Sequence, residues 1–298
     1  QQVGQSSNAL NGKLNLRGAV TGSGINFADM NAHADVQVLP SSVASIAVNQ
    51  GNFNLSLNGN KVRIARAELS TADSTLSAAG EVGLDAKMSG SFDYRARIGD
   101  VAPWLALVSR KGSGSMDIAG RAQGNLNDLQ TRGNVRLAAL QIDGIAVKNG
   151  SVGYSLRGSK EQFFPEGTIT ATITDLDAGL TLRRIEANAK LTRQPQSIDV
   201  TLAVQDSQNR KHNVAGTVDF SNDALAVHLN QAFLAAPDGA WKLFRPATVI
   251  KRSESISIDQ FALRNGDREI SISGSFAFSG GQDLRLAVDR LPVETLTA

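Results

Sequence analysis

Apolar and polar residues alternate along almost the whole chain. Leu14 and Leu16, Val36 and Val38, Phe53, Leu55 and Leu57, Val62 and Ile64, Met116 and Ile118, and Val135 and Leu137 all do so. The pattern continues through Val152, Tyr154 and Leu156, then Ile198, Val200, Leu202 and Val204, then Leu225, Val227 and Leu229. It ends with Ile256 and Ile258, Ile270 and Ile272, and Leu284, Leu286 and Val288. Successive side chains of a strand point to opposite faces, so a period of two marks a strand with one dry and one wet face. The pattern predicts an all-β protein, an elongated, curled antiparallel sheet with a few short helices. Roughly 25 strands spaced by about 4.8 Å would span on the order of 100 Å. Strand twist would curl the apolar side inward into an open hydrophobic trough, a barrel or a sandwich. The residues just named are the candidate functional surface, and what they touch is the functional question.

Composition narrows the answer. Hydrophobic residues make up 41% of the 298, but aromatic residues only 5%, so the apolar set is mainly aliphatic and lines a surface without plugging it. The net charge is +2 and the basic residues are scattered, which argues against nucleic-acid binding. The absence of cysteine excludes disulfides, thiol catalysis and Cys-based metal sites. No run approaches the roughly 18 apolar residues of a membrane span. The N-terminal Gln1-Gln2-Val3-Gly4-Gln5 lacks the features of a signal peptide, and the ends read as those of a piece of a longer protein.

The punctuation fits strands. Pro40, Pro103, Pro165, Pro195, Pro237, Pro246 and Pro292 are all expected between strands, where no ladder hydrogen bond is lost. Asn11-Gly12, Asn58-Gly59, Asn149-Gly150 and Asn265-Gly266 are predicted hairpin turns. An internal repeat relates residues 62–105 to 256–296: Ile64, Leu69, Asp73, Leu76, Gly80 and Val82 match Ile258, Leu263, Asp267, Ile270, Gly274 and Phe276. The offset is constant, 258 − 64 = 276 − 82 = 194. Asp100 is placed to cap a short helix with Pro103 in its first turn. Residues 230–247, with Phe233, Leu234, Trp241, Leu243 and Phe244, break the alternation and predict an irregular cap or loop, or a short helix.

No arrangement of residues reads as an active site, so the chain is read as a non-enzyme without cofactor or metal. His33, His212 and His228 lack ligand-spaced partners and are expected to be solvated strand residues. Asp175 and Asp177 could serve as a cation or acid/base pair with Glu186 closing a calcium loop. Leu180 stands where that loop needs glycine, which favours an ordinary turn. Gly22-Ser23-Gly24 and Gly112-Ser113-Gly114 lack a phosphate-loop lysine and read as hairpin turns.

The phrase Ser255-Ile256-Ser257-Ile258 through Leu263, Gly266, Ile270 and Gly274 resembles the TamB family of translocation and assembly proteins, relatives of the AsmA-like proteins. So do Gly239-Ala240-Trp241-Lys242-Leu243 with Pro246-Ala247, the stretch Gly12-Lys13-Leu14-Asn15-Leu16-Arg17-Gly18, and Gly114-Ser115-Met116-Asp117-Ile118-Ala119-Gly120. The resemblance covers essentially the whole chain and implies a β-taco, a long and incompletely closed sheet with an apolar interior. It implies a periplasmic protein anchored to the inner membrane by an N-terminal helix absent from this chain, which would be a middle segment of the body. It further implies an outer-membrane barrel partner, TamA-like, and roles in autotransporter assembly and phospholipid transport. Three readings stay open: a conduit whose partners are phospholipid acyl chains, a chaperone-like scaffold receiving outer-membrane β-strands, and a purely structural β-solenoid.

Overall fold

The computed structural model describes residues 12–26, 29–44, 46–84, 89–125, 127–159, 162–220, 224–279 and 281–290. The described residues are almost entirely strand, 21 of them in one antiparallel sheet, with a single short helix rather than several. Chain contacts divide it into two units, residues 1–163 and 164–298.

The first unit is a meander. Its strands are β1 (Gly12–Lys13), β2 (Leu16–Ser23), β3 (Asn31–Val38), β4 (Ser41–Val43), β5 (Ile46–Asn58), β6 (Lys61–Thr71), β7 (Ser74–Gly83) and β8 (Gly90–Ile98). The helix α1 (Ala102–Ala106) follows, then β9 (Gly112–Asn125), β10 (Asp128–Ile142) and β11 (Ile145–Ser159). β1 and β2 lie end to end against β4 and β3, which lie end to end against β5. From β5 to β11 each strand pairs with the next.

The second unit repeats this plan. It holds β12 (Gln162–Asp177), β13 (Thr181–Thr192), β14 (Ser197–Asp206), β15 (Lys211–Asp219), β16 (Leu225–Ala236), β17 (Gly239–Leu243), β18 (Ala247–Lys251), β19 (Ser255–Asn265), β20 (Arg268–Ala277) and β21 (Gln282–Asp289). Here β17 and β18 share one edge of β16 and together pair with β19. Residues 230–247 are therefore the end of β16, a turn at Pro237-Asp238, β17 and the Phe244–Pro246 link, not an irregular cap. Trp241 is buried and its indole N–H donates to Asp238, which also takes the Arg268 guanidinium at 2.7 Å.

The sequence repeat is a repeat of hydrogen bonding. Adding 194 to the bounds of β6 and β7 gives those of β19 and β20. Both hairpins carry the same bulge. Ile64 faces Gly80 and Ala67 faces Ala78 in one, and Ile258 faces Gly274 and Phe261 faces Ile272 in the other. Two residues of the longer strand thus oppose one, and the apolar phase switches from even to odd positions.

Several local expectations change. Asn149-Gly150 lies inside β11, and the two-residue turn is Asp143-Gly144, with φ +48° and +86°. Gly112-Ser113-Gly114 begins β9, and Gly22 and Ser23 end β2. Pro165 lies within β12, two residues before the first pair with β13, so that ladder needs no N–H from it. The N-cap of α1 is Val101, although Asp100 accepts the Ala102 N–H at 2.9 Å. Asn11 and Pro292 lie outside the described residues, as does the end of the second repeat copy.

Candidate functional site

Antiparallel partners point to the same side of a sheet, so the pairings build transverse rows. One row of the first unit runs Leu16, Val38, Gly51, Leu69, Leu76, Ala96, Ile118, Val135 and Val152. The next on the same face runs Gly18, Val36, Phe53, Ala67, Ala78, Tyr94, Gly120, Gly133 and Tyr154. Leu55, Ile64 and Leu156 stand in a third, Leu57 and Val62 in a fourth, and Met116 and Leu137 beside the first. Every groove residue expected in this unit falls on this one face.

Part of that face is a groove of about 530 Å³, inside the size range of small-molecule pockets. Leu14, Leu16, Val36, Val38, Phe53 and Leu55 line it, joined by Val43, Ala44, Ile46, Val48, Leu69 and Leu76. Trp104 and Leu107, from α1 and the residue after it, complete the lining. The Trp104 indole N–H donates to the buried Ser74 hydroxyl at 3.2 Å, which fixes the ring at the groove. All fourteen lining residues are apolar, so the groove can hold hydrocarbon but offers no side-chain partner to a head group. It is not sealed, for Leu14 and Leu16 remain 56% and 55% exposed. No large side chain among the described residues is fully buried.

The second unit has its own apolar face. A row runs Gly167, Leu191, Ile198, Val218, Val227, Val249, Ile258, Gly274 and Leu284. Val200 and Leu229 flank Gly216, Leu202 faces Ala187, and Val204 faces Ile185. Ile270 pairs with Val288 and Ile272 with Leu286. Leu225 and Ile256 sit on either side of Lys251 at the rim of this face. Thr201 pairs with Asn188 and Ala215 on the opposite side.

The wet face is charged. Thr75, Arg97, Asp117 and Arg136 form one of its rows. Arg157 clasps Asp128 through two bonds of 2.6 and 2.8 Å, and Lys61 holds Glu81 at 2.9 Å. The Lys61 hydrogen bond lowers the Glu81 carboxyl below its usual range. Such exposed pairs contribute solubility more than stability.

His33 meets Asp35 on the wet face, and His228 meets Thr248. His212 is partly buried, and it stands in the row of Val204 with its Nδ1 accepting the Ala235 N–H. That bond places the neutral ring's proton on Nε2, which faces Asp206 at 3.3 Å. Among the described residues no group of three His, Cys, Asp or Glu could hold a metal. Asp177 accepts the Gly179 N–H and shapes the turn after β12, whereas Asp175, with φ +51°, lies within that strand.

Asp206 closes the β14–β15 turn, accepting N–H bonds from Gln208 and Arg210 and the Arg210 guanidinium at 2.6 Å. Burial pushes its carboxyl up, but these bonds and that from His212 outweigh it and hold the group at about 2. A carboxyl lowered on folding adds stability above its unfolded value near 4 and loses it as pH falls towards about 2. Asp206→Asn is therefore expected to lower stability at neutral pH and to flatten its fall between about pH 4 and 2. Denaturant titrations across that window check this, and an unchanged acid limb refutes it.

The alternation did not mark Leu69, Leu76, Ala96 or Tyr94 as part of the dry face. The repeat contained Leu69 and Leu76, and their place follows only when the bulge at Ala65-Arg66 is known. Compared with known protein families, characterised proteins and solved structures, the chain matches none.

Proposed function

We propose that this chain is a lipid-handling sheet, part of a periplasmic bridge-like conduit that carries phospholipid between inner and outer membranes and supports outer-membrane protein assembly. The observation that carries the reading is the open groove with fourteen apolar lining residues. An acyl chain laid on such a surface gains about 0.8 kcal/mol per buried CH₂. An aliphatic wall gives similar contacts in successive registers, so the chain can slide while its head group stays in water. Open apolar faces of this kind normally have a partner. The resemblance to the TamB family supplies the two membranes, the outer-membrane barrel partner and the link to assembly.

Photocrosslinking from Leu55 and Val200, with the wet-face residues Thr75 and Thr201 as controls, tests the proposal. Phospholipid adducts are expected at the inner positions alone. Adducts only to neighbouring residues of the same chain would replace the conduit with a structural sheet.

A second reading, the strand-receiving scaffold, draws on β2. Among the described residues it pairs only with β3, all eight of its residues are exposed, and it carries one charge, Arg17. Edges of this kind template added strands. A crosslinker at Thr21 that captures a defined outer-membrane barrel precursor, with no lipid at Leu55, would favour this reading.

A further inference from the structure

Tyr94 on β8 and Tyr154 on β11 are the polar exceptions in a dry row, separated by Gly120 and Gly133. Three strand spacings of about 4.8 Å separate their backbones. The two side chains close that span by lying across the glycines. A Cβ on Gly120 would fall 2.5 Å from the Tyr94 hydroxyl, and one on Gly133 would fall 2.5 Å from that of Tyr154. The hydroxyls meet at 2.6 Å, and Tyr94 also bonds the Thr131 hydroxyl at 2.7 Å.

Counting protons gives this crossbar a chemistry. Three hydroxyls carry three protons, and the two bonds between them use two. One O–H is left to donate, from whichever of the three hydroxyls does not donate within the crossbar. Ala96, Ile118, Val135 and Val152 flank the row on one side, and Phe92, Ala122 and Leu156 on the other, none with a side-chain acceptor. Burial, with the Tyr94 hydrogen bond behind it, pushes the Tyr154 phenol up to about 12, so it stays a donor throughout the physiological range.

We propose that the Tyr94–Tyr154–Thr131 crossbar is a polar station on the dry face that donates a hydrogen bond to the ester carbonyl of a bound diacyl lipid, selecting ester-linked over ether-linked chains. The inference rests on the lipid-handling reading above and specifies its ligand. A crossbar that only covers the glycines would be indifferent to the linkage.

The test is competition for the intact chain between vesicles of a diester phosphatidylethanolamine and of its dialkyl ether with identical chain lengths, with bound lipid quantified by mass spectrometry. The wild type is expected to retain the ester form about fivefold over the ether, the worth of one ordinary hydrogen bond. The Tyr94→Phe/Tyr154→Phe/Thr131→Val variant keeps the rings over the glycines and should bind both forms equally. If it does not fold, Tyr94→Phe/Tyr154→Phe serves, and its preference should fall markedly. A wild type that binds both lipids alike, or a folded variant that keeps the preference, overturns the station and leaves lipid handling standing. A wild type that binds neither lipid overturns both.

Discussion

Leu55→Glu and Val200→Glu are each expected to reduce phospholipid bound to the purified chain by more than about tenfold, while the fold is kept. Leu55 lines the groove of the first unit, and Val200 stands between Ala189 and Gly216 on the dry face of the second. Neither side chain is fully buried, so a carboxylate there can reach water without breaking the sheet. A lipid tail cannot cover that carboxylate without stripping its hydration, which costs several times what the lost methylene contacts contribute. Thr75→Glu and Thr201→Glu place the same charge on the wet face and should leave binding unchanged. Normal lipid capture by both folded inner-face variants would end the conduit reading.

Gly80→Val and Gly274→Val are expected to destabilise the protein by about 3 kcal/mol each. The two glycines occupy equivalent positions of the repeated hairpin, opposite Ile64 and Ile258. Their φ values are +142° and +118°, a region costly for a β-branched residue. A side chain would also be driven into the backbone of the adjacent strand, at the Ser91 carbonyl in one copy and the Asp283 carbonyl in the other. Urea unfolding measures the loss, and amide exchange should place it in β7–β8 and β20–β21. Gly158→Ala is the control, because a Cβ there meets nothing within 4 Å. Unequal costs at the two glycines would show that the shared register is not a shared energetic constraint.

The face assignments were legible because period two survives wherever a strand runs straight. Phe53, Leu55 and Leu57, or Ile198 to Val204, could be placed from the sequence alone. The alternation lost its phase at bulges. In β16, Asn230 is the extra residue between the pairs of Leu229 and Gln231, so Ala232 and Leu234 resume the dry face two positions after an apparent break. Adjacent pairs such as Phe233-Leu234 and Leu243-Phe244 therefore looked irregular, and a hairpin was read as a cap. Asn149-Gly150 misleads for a related reason: turn residues four and five steps inside a long strand cannot be told from turn residues at its end. The tyrosine crossbar was illegible because it joins residues 60 apart through two glycines whose role is to leave space.

The meander also bears on how such a chain is made. In both units nearly every strand takes its hydrogen bonds from strands next to it in the chain. Such local closure keeps the entropy cost of each step small and favours fast folding. Each hairpin emerging during synthesis finds its template already formed, with no distant partner to await. A chain interrupted at a turn would be left with a shorter sheet and an intact stretch of dry face, where a Greek-key protein of the same size would be left unfolded.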